Sequence, residues 1–268
     1  MAICTAMLFM ASCKSEFEKV RVSGNPDLIL KKASEYYADK KYQRAQTLYE
    51  LVLSSLRGRP DAEKANFQYA YTHYYLKQYI LGAYYFKSFA NTYTSSPLRE
   101  EAAYLSAYCN YLQSPVHRLD QGATLTAIDE FQLFVNLFPN SPKVEECNRL
   151  IDEMRRKLEE KAFAEGQLYY NLRQYQSAVL SFDNLLKDYP ESPDVERVRY
   201  LIAKSDYLLS KNSVVEKKVE RYEETIARCD AFIQKHSSGK YASEIKEIRK
   251  ASEKELKTAK KHHEKVKL

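Results

Sequence analysis

The stretch YQSAVLSFDNLLKDYPESP, residues 175–193, decides the fold class. Its aromatic first residue is followed three positions later by the small residue Ala178, and then by the large residue Phe182. Steps of three, four and seven place such side chains on one stripe of a helix. Proline lacks the amide donor that a helix needs, so Tyr189-Pro190 predicts the end of that helix. The stretch therefore predicts one helix with an apolar face.

The same spacing recurs along the chain. Upstream of each copy lies a second apolar stripe, so each unit is predicted to contain a first helix (helix A), a short turn and a second helix (helix B). A small residue on the shared stripe allows the two helices to approach closely. The chain is therefore predicted to be a helical repeat array. The copies begin at the anchor residues Tyr42, Tyr79, Thr124, Tyr175 and Tyr222.

The fourth copy resembles the tetratricopeptide repeat. The anchors are spaced more widely than the family period of about 34 residues, which predicts extended helices or connectors. We expect an all-α tetratricopeptide-repeat solenoid of about five helix-hairpin units. The matching residues are Gly166 at the small site of helix A, Tyr169 at its aromatic site, Ala178 at the alanine of helix B, and Phe182 and Pro190 at the two later sites.

The net charge of +6 is concentrated at one end of the chain. Residues 240–268 hold ten lysines or arginines against five acidic residues, and the remainder is almost neutral. We interpret this segment as a solvated helix end and predict no nucleic-acid binding, although a basic tail is also able to touch phosphates or an anionic membrane. From Lys14 onward no segment approaches the run of about 18 apolar residues that a spanning helix requires.

The amino terminus resembles the signal peptide of a bacterial lipoprotein. Residues 2–12 carry no charge, and Met10-Ala11-Ser12 lead directly to Cys13, after which the sequence becomes polar. Small residues before a cysteine resemble the lipobox, in which the cysteine becomes the first mature residue and carries lipid. Residues 1–12 are therefore predicted to be a signal peptide and residues 13–24 a lipidated linker. The alternative is a buried amino-terminal helix that contains an ordinary cysteine.

Known motifs for catalysis and metal binding do not occur in the sequence. There is no GxSxG, Walker, GxGxxG or HExxH pattern. Cys4, Cys109, Cys147 and Cys229 form no CxxC pair, so we predict no metal and no cofactor. A disulfide between Cys109 and Cys147 is left open, because spacing alone does not establish its geometry. The chain is predicted not to be an enzyme.

Tyrosine is abundant, since the chain has 23 Tyr and no Trp. Helix A forms most of the inner wall of a tetratricopeptide array, and tyrosine there offers a large contact area at low rotamer cost. We assign about two thirds of the tyrosines to packing between helices and the rest to a groove for an extended peptide. The groove candidates are Tyr37, Phe67, Tyr71, Tyr74 and Asn110, with Tyr75 beside them.

One connector is more specific than the repeats. It reads Tyr111-Leu112-Gln113-Ser114-Pro115, then Leu119-Asp120-Gln121, and continues to Phe138-Pro139-Asn140-Ser141. Together with the lipobox, the five units and the segment YILGAYYF at residues 79–86, this pattern resembles the BamD family of outer-membrane protein assembly factors. The resemblance covers roughly residues 23–250.

The resemblance implies a periplasmic lipoprotein on the inner leaflet of the outer membrane, held by acyl chains, palmitate among them, on Cys13. It implies that unfolded β-barrel precursors are received by the amino-terminal repeats, units 1–3 at residues 25–143. It further implies that the periplasmic domains of the barrel subunit BamA, with other assembly-machinery subunits, dock on units 4–5 at residues 144–243. Residues 244–268 are then a basic helical tail. The expected function is a non-enzymatic scaffold for barrel assembly.

Other classes of protein share some of these features. A tetratricopeptide lipoprotein that serves peptidoglycan or cell-division machinery has the same anchor and repeats but need not carry Leu119-Asp120-Gln121. A glycan-capturing surface lipoprotein is longer and commonly uses tryptophan, which this chain lacks. An enzyme is the most distant alternative, and a deep polar pocket with clustered carboxylates of perturbed pKa is the feature that would favour it.

Overall fold

A computed structural model describes residues 15–266 of the chain, and every regular element in that range is helical. The predicted signal peptide and Cys13 lie outside the described residues. None of the described helices combines the length and the hydropathy that a membrane crossing requires.

Helices pair in the predicted order of helix A, turn and helix B. A short helix α1 (Glu16–Arg21) precedes the pairs, and α12 (Ala242–Val266) follows them. The prediction of an all-α chain built from five tetratricopeptide-like hairpins is confirmed for the described residues. The pairs are α2 (Pro26–Ala38) with α3 (Tyr42–Val52), α4 (Asp61–Tyr75) with α5 (Tyr79–Thr92), α6 (Arg99–Gln113) with α7 (Gly122–Leu137), α8 (Val144–Asn171) with α9 (Tyr175–Asp188), and α10 (Val195–Lys211) with α11 (Val215–Lys235).

Long helices and one long turn account for the wide spacing of the anchors. Helix α8 has 28 residues and α11 has 21. The fifth anchor, Tyr222, lies well inside α11, and residues 114–121 form the long turn between α6 and α7. The expectation of extended helices and connectors is therefore confirmed. In the other pairs Tyr42, Tyr79 and Tyr175 are the first residues of helix B, and Thr124 lies in its first turn.

Three of the turns between helix A and helix B share one backbone conformation. Lys40, Lys77 and Arg173 have φ values of 58°, 58° and 59°. At the first of these turns the amide of Lys41 donates to the carbonyl of Tyr36 at 2.8 Å, which is the six-residue bond of a Schellman motif. The left-handed conformation strains a residue with a Cβ atom by about 1–2 kcal/mol. The turns therefore reverse the chain in the same way without using glycine.

The described helices form two compact units that divide at residues 154 and 155, within α8. In the first unit, α1 to α4 enclose a core in which Tyr49 of α3 is fully buried. The Tyr49 hydroxyl donates to the side chain of Gln68 on α4 at 2.7 Å, so the ring is buried with its polar group satisfied. The other core residues include Val20, Ile29, Ala33, Tyr36, Ala45, Leu48, Leu56, Ala65 and Tyr69.

In the second unit, the small residue predicted on helix A lies directly against the large residue on helix B. A Cβ atom at Gly166 of α8 would lie 2.5 Å from the ring of Phe182 on α9. The Phe182 side chain is completely buried, as is Ala178 one turn before it. Glycine at position 166 is therefore required by the close approach of the two helices.

A network of charged side chains joins α9, α10 and α11 in the second unit. Arg228 donates two hydrogen bonds to the carboxylate of Asp183, at 3.0 and 2.8 Å, and its Nε lies 3.6 Å from Oδ2 of Asp206. Asp206 is only 7% exposed, and among the described residues nothing donates a hydrogen bond to that oxygen. Burial raises the pKa of Asp206 to about 7, although the Arg228 charge opposes the shift.

We predict that Gly166→Ala destabilises the protein by about 1–3 kcal/mol, because the enclosed Phe182 ring has no room to retreat. This is the net loss of stability, after the gain of about 1 kcal/mol that alanine gives over glycine in a helix. Chemical denaturation followed by circular dichroism measures the change. Adding Phe182→Leu to the variant should recover part of the stability. A Gly166→Ala variant as stable as the parent would show that the helices are not held this closely.

We predict that Asp206→Asn changes how stability depends on pH. The pKa of Asp206 is higher in the folded protein, at about 7, than in an unfolded chain, at about 3.9, so the folded protein binds more protons between these values. The stability of the parent therefore falls as pH rises through this window. Above pH 7 the variant should be more stable by up to about 4 kcal/mol, and near pH 4 the difference should disappear.

Equilibrium unfolding at several pH values tests this difference. Asp183→Asn is the matched control, because it removes a hydrogen-bonded partner of the same arginine and is expected to destabilise the protein at neutral pH. An Asp206→Asn variant that is less stable than the parent at every pH would mean that Asp206 is ionised and paired with Arg228.

Candidate peptide-binding surface

Five tyrosine rings of the first unit form a continuous row. We call Tyr37, Tyr42, Tyr71, Tyr74 and Tyr75 the tyrosine row. The Tyr42 ring stacks on Tyr75 with their centroids 4.3 Å apart, and Tyr75 stacks on Tyr71 at 5.5 Å. Tyr37 meets Tyr42 edge to face at 5.8 Å. The row therefore crosses from the first hairpin, which contributes α2 and α3, to α4 of the second hairpin.

The spacing of α4 places three of these rings on one face. Tyr71, Tyr74 and Tyr75 are three and four residues apart, which brings side chains together on a helix surface. Tyr75 is 44% exposed, and the other two are half-buried. The opposite face of α4 packs into the unit through buried Tyr69 and His73. One side of α4 thus builds the core while the other side presents tyrosine.

The tyrosine hydroxyls remain protonated. The Tyr71 hydroxyl donates to the carboxylate of Glu101 on α6, and burial together with that hydrogen bond holds the pKa of Tyr71 well above its usual range. Burial also raises the pKa of Tyr37 well above its usual range, with smaller contributions from the neighbouring tyrosines. These rings therefore offer aromatic faces and hydroxyl groups without charge at neutral pH.

Helix α6 adds a second set of stacked tyrosines. Tyr104 stacks on Tyr108 and Tyr108 on Tyr111, each with ring centroids 5.7 Å apart. The Tyr111 hydroxyl donates to Glu153 at 3.0 Å. Burial raises the pKa of Tyr74, and the nearby Tyr108 adds to the shift, which places the α6 set beside the tyrosine row.

The structure brings together Tyr37, Tyr71 and Tyr74 among the predicted groove residues. Phe67 is 8% exposed and lies beneath them, with its ring 5.1 Å from Tyr71. Asn110 is half-buried on α6, where its side-chain oxygen accepts a 3.4 Å hydrogen bond from Gln113. That these residues bind a peptide stays a prediction.

Sequence reasoning left out Tyr42 and the three tyrosines of α6, of which Tyr104 is buried. Tyr42 was assigned only to the start of a helix, because its stacking on Tyr75 joins residues far apart in sequence. The α6 set carries a signal that was available in the sequence. Phe67, Tyr71 and Tyr74 recur 37 residues later as Tyr104, Tyr108 and Tyr111.

The cysteines and acidic residues of the described chain build no metal site. Cys109, Cys147 and Cys229 are free and buried. Burial raises the pKa of the Cys109 and Cys229 thiols to about 12 and that of Cys147 to about 11. Within the described residues no group of three His, Cys, Asp or Glu side chains is placed to hold a metal ion. The Cys109–Cys147 disulfide left open by the sequence is not formed.

Repeated helix hairpins of tetratricopeptide type place the chain among the helical-repeat proteins. The family model YfiO, described as an outer membrane lipoprotein, matches residues 24–169 and 167–264. The chain belongs to this family of outer membrane lipoproteins, which is the BamD family, and the resemblance drawn from the sequence is confirmed.

Comparisons with individual proteins add little to the family assignment. No curated protein gives a significant match. The crystal structure of the apo form of RapI matches 90% of this chain and 84% of its own chain, with 16% identity. Its TM-score is 0.28, which is too low to support an argument about fold or function.

Proposed function

We propose that this protein is a non-enzymatic scaffold of the outer-membrane β-barrel assembly machinery. It binds unfolded barrel precursors on its first unit and the periplasmic domains of BamA, with other machinery subunits, on its second unit. Membership of a family of outer membrane lipoproteins supports the location. The observation that carries the proposal is the tyrosine row, an uncharged aromatic surface on one side of the first unit.

The dimensions of the tyrosine row suit an extended peptide. In a β-strand, side chains on the same side are about 6.6 Å apart, because each residue advances by about 3.3 Å. Neighbouring rings of the row have centroid distances between 4.3 and 6.4 Å. Alternate aromatic side chains of a barrel precursor are therefore able to pack against the exposed faces and edges of successive rings, and the tyrosine hydroxyls are able to bond to the peptide backbone.

The second unit offers a surface of different chemistry. An open groove of about 410 Å³ lies between α9, α10 and α11 and carries both signs of charge. Charged groups of both signs suit a specific docking contact with a folded partner, since complementary charges fix register and exclude wrong partners. We assign BamA to this unit. The groove residues are Gln176, Asp206, Leu209, Lys217, Glu220, Arg221 and Glu224.

A lipid on Cys13 holds the scaffold at the membrane in this proposal. Each buried methylene contributes about 0.8 kcal/mol, and a single acyl chain gives only marginal binding. A multiply acylated Cys13 anchors the chain to the inner leaflet of the outer membrane and leaves the repeats in the periplasm. The lipobox before Cys13 supports this assignment.

Site-specific photo-crosslinking tests both docking assignments in the full-length protein. We predict that a crosslinker at Tyr71 or Tyr75 captures a carboxy-terminal peptide of a barrel protein, and that one at Lys217 captures the periplasmic domains of BamA. Tyr84 is the matched control for the peptide, because it is a 64% exposed tyrosine of α5 whose ring packs against Tyr85 outside the row.

The two ligands should give opposite patterns. Peptide adducts at Lys217 with none at Tyr71 or Tyr75 would reject the assignment of the precursor to the first unit. BamA adducts at Tyr75 with none at Lys217 would reject the assignment of BamA to the second unit. Equal peptide adducts at Tyr75 and Tyr84 would mean that the tyrosine row has no special role.

A further inference from the structure

The turns between helix A and helix B of the first unit lie along one edge. The stacking of Tyr42 on Tyr75 brings the first turn to the second, at a centroid distance of 4.3 Å. The second and third turns are also close together. Near them, the Cys109 sulfur of α6 lies 3.1 Å from the position that a Cβ atom on Gly82 of α5 would occupy. We call the residues of these turns, 39–41, 76–80 and 114–121, the turn edge.

The turn edge combines exposed basic and apolar side chains with two carboxylates, of which Asp39 pairs with Lys41 and Asp120 accepts a hydrogen bond from the amide of Gly122. Lys40, Lys77 and Arg118 are exposed, and none of them pairs with a carboxylate in the part of the chain that the structure describes. Ile80 is 74% exposed and Val116 is 64% exposed. Basic groups beside exposed apolar side chains are the combination that binds the interface of an anionic bilayer.

The opposite edge of the first unit carries both signs of charge, since Arg57, Arg59, Lys64 and Arg99 lie there among acidic residues. Each helix A begins at this edge, and its first turn carries acidic residues. Acidic residues are favourable there because they interact with the positive end of the helix dipole. An anionic membrane surface therefore favours the turn edge, where unpaired cations outnumber unpaired carboxylates among the described residues, over the opposite edge, where the two signs nearly balance. The acidic residues are Asp27 in α2, Asp61 and Glu63 in α4, and Glu100 and Glu101 in α6.

The amino-terminal end of the described chain lies at the turn edge. The Phe17 ring is 5.9 Å from that of Tyr36, close to the end of α2, and the Arg44 guanidinium at the start of α3 lies 5.8 Å from the Phe17 ring. From there α1 runs back along α2, since Val20 joins the core cluster that contains Ile29. The chain therefore enters the first unit from the turn edge.

Cys13 lies two residues before Ser15 in the sequence, so a lipid on Cys13 tethers the chain next to the start of α1. The start of α1 lies on the side of the turn edge, and the tether therefore favours an approach of the bilayer from that side.

We infer that the turn edge of the first unit lies against the surface of the leaflet that holds the acyl chains of Cys13. Lys40, Lys77 and Arg118 contact anionic phospholipid headgroups, and Ile80 and Val116 enter the interface. This inference rests on the lipid anchor of the proposed function. It places the tyrosine row next to the membrane, because Tyr42 and Tyr75 border the turns.

Fluorescence quenching in vesicles tests this orientation with the full-length lipidated protein. A coumarin amino acid replaces either Ile80 on the turn edge or Ser95 in the loop between α5 and α6, on the opposite edge; both positions are exposed. The vesicles contain phosphatidylethanolamine and phosphatidylglycerol with brominated acyl chains as the quencher. We predict strong quenching at position 80 and little at position 95.

Charge reversal supplies a matched pair of variants. Lys40→Glu with Lys77→Glu should abolish the excess quenching at position 80. Arg57→Glu with Lys64→Glu, two exposed positions near the opposite edge, should leave it unchanged. Vesicles of phosphatidylcholine alone should also give weaker quenching at position 80, since the headgroups then carry no net charge.

The possible failures are distinguishable. Mass spectrometry that finds no acyl chain on Cys13 would overturn the anchor, and the orientation with it. An acylated protein that is quenched equally at positions 80 and 95, or more strongly at position 95, would overturn the orientation alone and leave the anchor standing.

Discussion

The structure depends on the close approach of the two helices of a hairpin, which a small residue at their contact allows. Gly166 and Phe182 give the clearest case, since even one added methyl group would overlap the ring. The Phe182 side chain is completely buried, because its ring fills the space that the missing side chain of glycine leaves between the two helices. In the proposed function, a hairpin closed in this way presents the remaining face of helix A to a ligand.

That constraint connects the repeat to the tyrosine row. Hairpins that pack alike and reverse through the same left-handed turn, at Lys40, Lys77 and Arg173, place corresponding side chains of helix A on one side of their unit. In the first unit several of these positions hold tyrosine, such as Tyr37 of α2 and Tyr74 of α4, and Tyr42 at the start of α3 stacks on Tyr75 of the next hairpin. The aromatic surface is therefore a consequence of repetition, because no single hairpin contains it.

Local patterns predicted the fold, and contacts between distant residues limited the prediction of the site. The stripe from Tyr175 to Phe182 was sufficient to predict the hairpins, since helix periodicity is a pattern among residues that are close in sequence. Composition and repeat position identified Tyr71 and Tyr74 but not Tyr42, whose ring meets them only after hairpins stack. The sequence also did not predict that an Asp206 oxygen is buried without a hydrogen-bond donor among the described residues, because its burial depends on three helices that pack around it.

The most direct test of the account is depletion of this protein in living cells, with folded β-barrels in the outer membrane measured alongside septation. A scaffold for barrel assembly predicts that folded barrels fall first and that their unfolded precursors accumulate, while division continues. A tetratricopeptide lipoprotein of peptidoglycan or division machinery would instead give early defects in septation with normal barrel levels. That result would contradict the proposed function.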